Sequence, residues 1–174
     1  MILEAVRIIH TWLQDGTNGV NAKLPGVPLD GSDSVPAAIV TFLEETSSAQ
    51  VARGRVPEVA SQLPCLAVLQ SGEVVVPAVI GTTYQDADIT VTIWYVARDK
   101  DSDTARRDAM YTIRAIRRSL TELFKPANDA SRVRGSVQMF PTGEITIPPL
   151  FTVQDDVPIS GAVEVRVKVR DTSP

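Results

Sequence analysis

The apolar positions of this chain change period several times, and each change marks an element. Across residues 2–14, Ile2, Ala5, Val6, Ile9, Trp12 and Leu13 fall three or four apart, the spacing of one helix face, with Gly16 as the stop. Asp88 to Arg98 alternates instead, Ile89, Val91, Ile93 and Tyr95 against Thr90, Thr92, Trp94 and Val96. That is a strand with one core face and one amphipathic face. Ala162 to Arg170 alternates more cleanly, with Val163, Val165, Val167 and Val169 inward and Glu164, Arg166, Lys168 and Arg170 outward. Between these strands, residues 103–124 return to the helical period, and Ala105, Ala109, Ile113, Ile116, Leu120, Leu123 and Phe124 share one stripe. Ser102 or Asp103 caps that helix, Asp99, Asp101 and Asp103 put negative charge near its N-terminal end, and Lys125 with Pro126 marks its stop.

Two further stretches carry hairpin signals. Cys65 to Ile80 is divided by Ser71-Gly72, so 65–80 is expected to turn there, with Pro77 favouring an edge position or a bulge. Val133 to Ile147 is divided by Pro141-Thr142-Gly143, and Pro148 and Pro149 stop the second strand of a hairpin over 133–147. Residues 17–64 read as a long loop or excursion punctuated by glycine and proline, inside which Val35 to Leu43 fits either a strand or a short buried helix. A loop that long points to a functional or partner-ordered segment, or to a meander covering the sheet. The whole of 1–174 is expected to form one α+β domain. Its sheet is largely antiparallel or mixed, of five to six strands, with the N-terminal helix and the long helix packed mainly on one face.

Composition narrows the chemistry. Seventeen basic against twenty-one acidic residues, net −4, excludes a protein that coats nucleic acid through overall charge, while local patches remain open. Cys65 is alone and sits in a strand pattern, so it is expected to be a small buried residue; His10, the only histidine, is expected to pack or cap on the first helix. No apolar run approaches the roughly 20 residues of a membrane span. Glu4 and Arg7 spoil the N-terminus as a signal-peptide core, so the chain is expected to be made and kept in the cytoplasm or in something assembled there. Asp99-x-Asp101-x-Asp103 imitates the start of a calcium loop, but Thr104 stands where glycine is needed and Met110 where the bidentate glutamate belongs. Phosphate-loop, dinucleotide and nucleophile-elbow patterns are missing, so neither metal nor cofactor is expected, and the chain is expected not to be an enzyme.

One feature of the long helix stands out chemically. At about 100° per residue, Arg106, Arg107, Arg114, Arg117 and Arg118 fall on one flank of the apolar stripe, with Asp108 and Glu122 on the other. The flank is either a solvated face, with Asp103 pairing Arg107 and Arg118 pairing Glu122, or a surface for an acidic partner or for phosphate. Beyond Tyr111 no aromatic is interleaved, which argues against single-strand stacking.

The N-terminal amphipathic helix, the glycine- and proline-rich excursion, LPCLAVLQSGEVV, and the strand–linker–helix ITVTIWYVARDKDSDTARRDAMYTIRAIRRSL occur in an order that resembles the tail terminator and related tail-completion (neck) proteins of long-tailed bacteriophages. The resemblance covers most of 1–170 in element order and texture. It implies a structural virion subunit without catalytic residues or cofactors, assembled in the host cytoplasm into a homo-hexameric ring at the head–tail junction. Such a ring caps the tail tube protein, stops its polymerisation and offers a surface to the head–tail connector or stopper. The arginine flank would then face a neighbour's acidic surface or make non-specific contact with DNA in the lumen. Charge reversal at Arg114 and Arg118 is accordingly expected to abolish ring formation or head attachment. The competing reading is a soluble α+β module that binds a small ligand or peptide; an enzyme with an unrecognised site is a more distant one.

Overall fold

A computed structural model describes residues 2–44, 63–76, 85–98, 102–148, 152–154 and 157–172. In chain order these form α1 (Ile2–Leu13), the single turn α2 (Val20–Lys23), β1 (Thr41–Glu44), β2 (Cys65–Val76), β3 (Gln85–Val96), α3 (Ser102–Leu123), β4 (Val133–Arg134), β5 (Val137–Thr146), β6 (Thr152–Gln154), β7 (Val157–Ile159) and β8 (Gly161–Asp171). The fold is α+β. Six strands make one mixed sheet in the order β1-β2-β3-β8-β5-β4, in which only β1 and β2 run parallel; β6 and β7 form a separate antiparallel pair.

The alternating strands form where the pattern puts them, because each has a long partner to pair with. In β3 and β8, Ile89 opposes Val167, Val91 opposes Val165 and Ile93 opposes Val163, and all six side chains are buried on the helix-covered face. On that face they meet Ala5, Ile9 and Leu13 of α1 and Ala109, Ile113, Ile116, Leu120 and Leu123 of α3 in one apolar core. At about 25 cal/mol per Å² this burial is the main force that lays both helices on the sheet. Trp12 adds a directional contact, its indole N–H donating to the Ser119 carbonyl at 2.8 Å.

The opposite face is divided. At one end Cys65, Ala67, Leu69, Trp94 and Val96 form a second, smaller apolar cluster. At the other, Asp86 is held by Arg170 at 2.8 Å and by Lys168 at 3.6 Å, and Arg166 lies 3.5 Å from Glu144. The amphipathic outer face of β3 is thus apolar near its C-terminal end and charged near its start.

Both glycine-marked turns are corrected. Ser71-Gly72 does not reverse the chain: β2 runs straight through, with a bulge between Gln70 and Gly72 where the Ser71 hydroxyl donates to the Thr90 carbonyl at 3.2 Å. The hairpin partner of β2 is β3, in register from Cys65 opposite Val96 to Val76 opposite Asp86; residues 77–80, with Pro77, lie outside the described residues. Pro141-Thr142-Gly143 is likewise a bulge in β5, between Pro141 opposite Val167 and Ile145 opposite Val165, with Gly143 at φ 84°. The turn of that hairpin is Gly135-Ser136, where Gly135 takes φ 61°. Glycine and proline relieve backbone geometry in bulges as they do in turns, and only the length of the partner strand separates the two.

The excursion contains more regular structure than its composition predicts. After α1, the Asp15 carboxylate accepts from the amides of Thr17 and Asn18 at 2.9 and 2.7 Å, closing a turn into Gly19. A side chain at Gly19 would collide with the carbonyl oxygens of Leu13 and Asp15. Val20, Leu24 and Val27 then anchor α2 and a following 3-10 turn in the main core. Asn21 clasps the backbone of Ile39 twice, accepting from its amide at 2.7 Å and donating to its carbonyl at 3.0 Å. Of the undecided stretch Val35 to Leu43, the last part is strand, β1; residues 45–62 lie outside the described residues.

Candidate functional site

The surface of α3 away from the sheet carries the arginines, and the helix is positioned for them by both ends. It starts at Ser102 with Asp103 in its first turn; Asp99 and Asp101 lie outside the described residues. It ends where Phe124 and Lys125 donate to the Leu120 and Glu122 carbonyls and Pro126 opens a 3-10 turn. Buried Arg132 reaches back to the carbonyls of Leu123 and Lys125 at 3.1 and 3.3 Å, satisfying acceptors that the helix end leaves unpaired.

The five arginines of the flank meet different surroundings. Arg107, Arg114 and Arg118 point about 90° around the helix from Arg106 and Arg117. The first row faces the excursion: Arg114 donates to the Pro28 carbonyl at 3.3 Å with its guanidinium 5.5 Å from the Tyr111 ring centre, and Arg118 donates to the Gly26 carbonyl. Arg107 is paired with its neighbour Asp108 at 3.0 Å, and that hydrogen bond raises the arginine's pKa further. Arg106 and Arg117 are exposed. The expected pairing of Arg118 with Glu122 gives way to a different one, since Glu122 sits 2.7 Å from Lys125, which lowers its pKa.

Beside the arginines, Tyr111 is fully buried and its hydroxyl is used twice. It donates to Asp33 at 2.6 Å and accepts from the Asp30 amide at 2.8 Å. The carboxylate acceptor raises the phenol's pKa, because ionising the hydroxyl would destroy that bond. Ser119, also buried, donates to the Asn18 carbonyl at 2.8 Å. Sequence reasoning placed neither residue in a contact; their only signal was polarity at helix positions adjoining the stripe.

No family model matches the chain, and no curated protein matches it in sequence.

Between α3 and the strap of residues 23–28 lies a groove of about 590 Å³ lined by Lys23, Pro28, Arg114, Arg117, Arg118, Thr121 and Glu122. Three of the five sequence-selected arginines border it; Arg106 and Arg107 do not. The remaining chemistry-bearing residues lie elsewhere. Burial pushes the Cys65 thiol up to about 12, which makes it a packing residue and not a nucleophile. His10 Nδ1 stands 3.8 Å from Glu44, which Arg7 also approaches at 3.8 Å, so the histidine joins α1 to β1. Among the described residues no three of His, Cys, Asp and Glu gather as metal ligands, and no helix is long and apolar enough to cross a membrane.

Proposed function

We propose that the chain is a structural subunit of the bacteriophage head–tail junction, a tail-terminator-like protein that closes into a homo-hexameric ring on the tail tube and presents a face to the head–tail connector or stopper. The observation that carries this reading is the β3–linker–α3 unit, an extended strand running into a 22-residue helix laid across a mixed sheet with α1 beside it. This is the element order on which the resemblance rests. A closed ring needs two different surfaces on each copy, related by one repeated rotation. The outer edge of β5 beyond its two-residue pairing with β4, and the exposed row of α3, are the two surfaces this reading assigns to the contact.

Arg114 and Arg118 bond the strap at residues 26–28, so reversing their charge disturbs the fold of the subunit as well as any neighbour contact. Arg106, exposed and outside the lining of the basic groove, is the better probe. Native mass spectrometry of the purified chain is expected to give a species near six subunits, with ring-shaped particles in negative stain. A monomer at all accessible concentrations would overturn the proposal. The competing reading, a ligand-binding α+β module, is favoured by the basic groove and predicts that monomer together with a ligand-dependent rise in melting temperature.

A further inference from the structure

We propose that the groove between α3 and residues 23–28 is a binding site for phosphate-bearing anions. The inference stands apart from the ring assembly, since it concerns a surface complete within one subunit.

Four cations, Lys23, Arg114, Arg117 and Arg118, converge on this groove in a chain whose net charge is −4. Among the described residues of the lining Glu122 is the one acid, and Lys125, just outside the lining, holds it at 2.7 Å. Charge on this scale creates a local positive potential against the overall field of the protein.

The cations fall into two kinds. Arg114 and Arg118 each use one terminal nitrogen on a backbone carbonyl, of Pro28 and Gly26, which fixes the guanidinium while leaving its other donors for a ligand. Such oriented forks match the oxygens of a phosphate and lose little entropy on binding. Lys23 and Arg117, by contrast, make no hydrogen bond or ion pair from their side chains among the described residues. Glu122 is the carboxylate nearest to them, and it is shared between the charge of Lys23 and the closer Lys125. The Thr121 hydroxyl is spent on the Arg117 carbonyl at 2.8 Å, so recognition falls to the cations.

Phosphate is favoured over an acidic peptide for two reasons. Several cations around one concavity suit a multiply charged group better than a single carboxylate. A peptide also needs an apolar anchor to bind tightly, and among the described residues Pro28 is the only apolar one in the lining. Among the described residues of the groove bases would find no exposed aromatic, since Tyr111 is buried, so nucleic acid would be held through its backbone without sequence preference.

The test uses the full chain and two phosphate sources. Isothermal titration with tripolyphosphate at low salt reports a free polyphosphate, and fluorescence anisotropy with a short DNA duplex reports a phosphodiester backbone. The double variant Lys23→Gln/Arg117→Gln is expected to weaken whichever source binds by about tenfold while leaving the melting temperature unchanged. If the duplex is the ligand, its log–log salt slope drops by about 2. Arg134→Gln, an exposed arginine elsewhere, is expected to bind as the unaltered chain does. The proposal is overturned if neither phosphate source binds, if Arg134→Gln weakens binding equally, or if a polyglutamate peptide binds more tightly than tripolyphosphate.

Discussion

The two buried sides of α3 are held by different physics. Toward the sheet, Ala109, Ile113, Ile116, Leu120 and Leu123 are sealed in a dry apolar layer against α1 and the valines of β8. Toward the excursion, Val20, Leu24 and Val27 join the core, and hydrogen bonds between side chains and backbone are added: Ser119 donates to the Asn18 carbonyl, Arg118 to that of Gly26, Arg114 to that of Pro28, and the Asp30 amide to the Tyr111 hydroxyl. The first side attaches the helix to the fold. The second attaches an irregular strap to the helix, since a strap without strands of its own must find partners for its backbone elsewhere. Apolar contacts tolerate small shifts, whereas these bonds fix where the strap lies and so shape the groove beside it.

The difference can be broken from either side. Leu120→Ala, at a fully buried position in the dry layer, is expected to destabilise the whole chain by roughly 2–5 kcal/mol in denaturant unfolding. A loss below about 1 kcal/mol would mean that the sheet-facing layer does not carry the helix. Tyr111→Phe removes one hydroxyl from the strap side and leaves the Asp33 carboxylate and the Asp30 amide without that partner, an expected loss of about 1–2 kcal/mol. Its signature is local, with faster amide exchange at Asp30 and little change in the central strands. Uniformly faster exchange would show that the strap and the core open together.

The smallest effect calibrates a polar contact that faces water. Hydrogen bonding to Arg170, reinforced by the charges of Arg170 and Lys168, holds the Asp86 carboxyl below its usual range. The folded value lies below the unfolded one of about 3.9, so the stabilisation is fully present above that pH and is lost as pH falls through the folded value. The melting temperature of the unaltered chain is therefore expected to fall more steeply than that of Asp86→Asn on acidification from about pH 5 to pH 2. Parallel profiles would show that the pair contributes nothing, as many solvent-facing ion pairs do.

The same contrast explains what was legible. Period alone located α1, β3, α3 and β8 to within a few residues, because each buries one face against a continuous partner. The bulges at Ser71 and at Pro141–Gly143 read as turns in the sequence because the local chemistry of the two is shared. Tyr111 and Ser119 gave no sign of burial, since whether a polar side chain is buried depends on a partner that local sequence does not name. The arginines are legible as a set because they share a helix flank, whereas the strap that engages Arg114 and Arg118 and not the others is not.

The class of the fold, the stripe that joins α3 to the sheet and the valine ladder of β8 follow from the order of residues alone, because hydrophobic burial has a period that can be counted. Only the tertiary structure decided which strands pair, that β1 runs parallel to β2, and that Arg114 and Arg118 hold a strap while Lys23 and Arg117 line the groove beside it. Those choices rest on hydrogen bonds between residues as many as 92 positions apart, and a directional bond has no period along the chain.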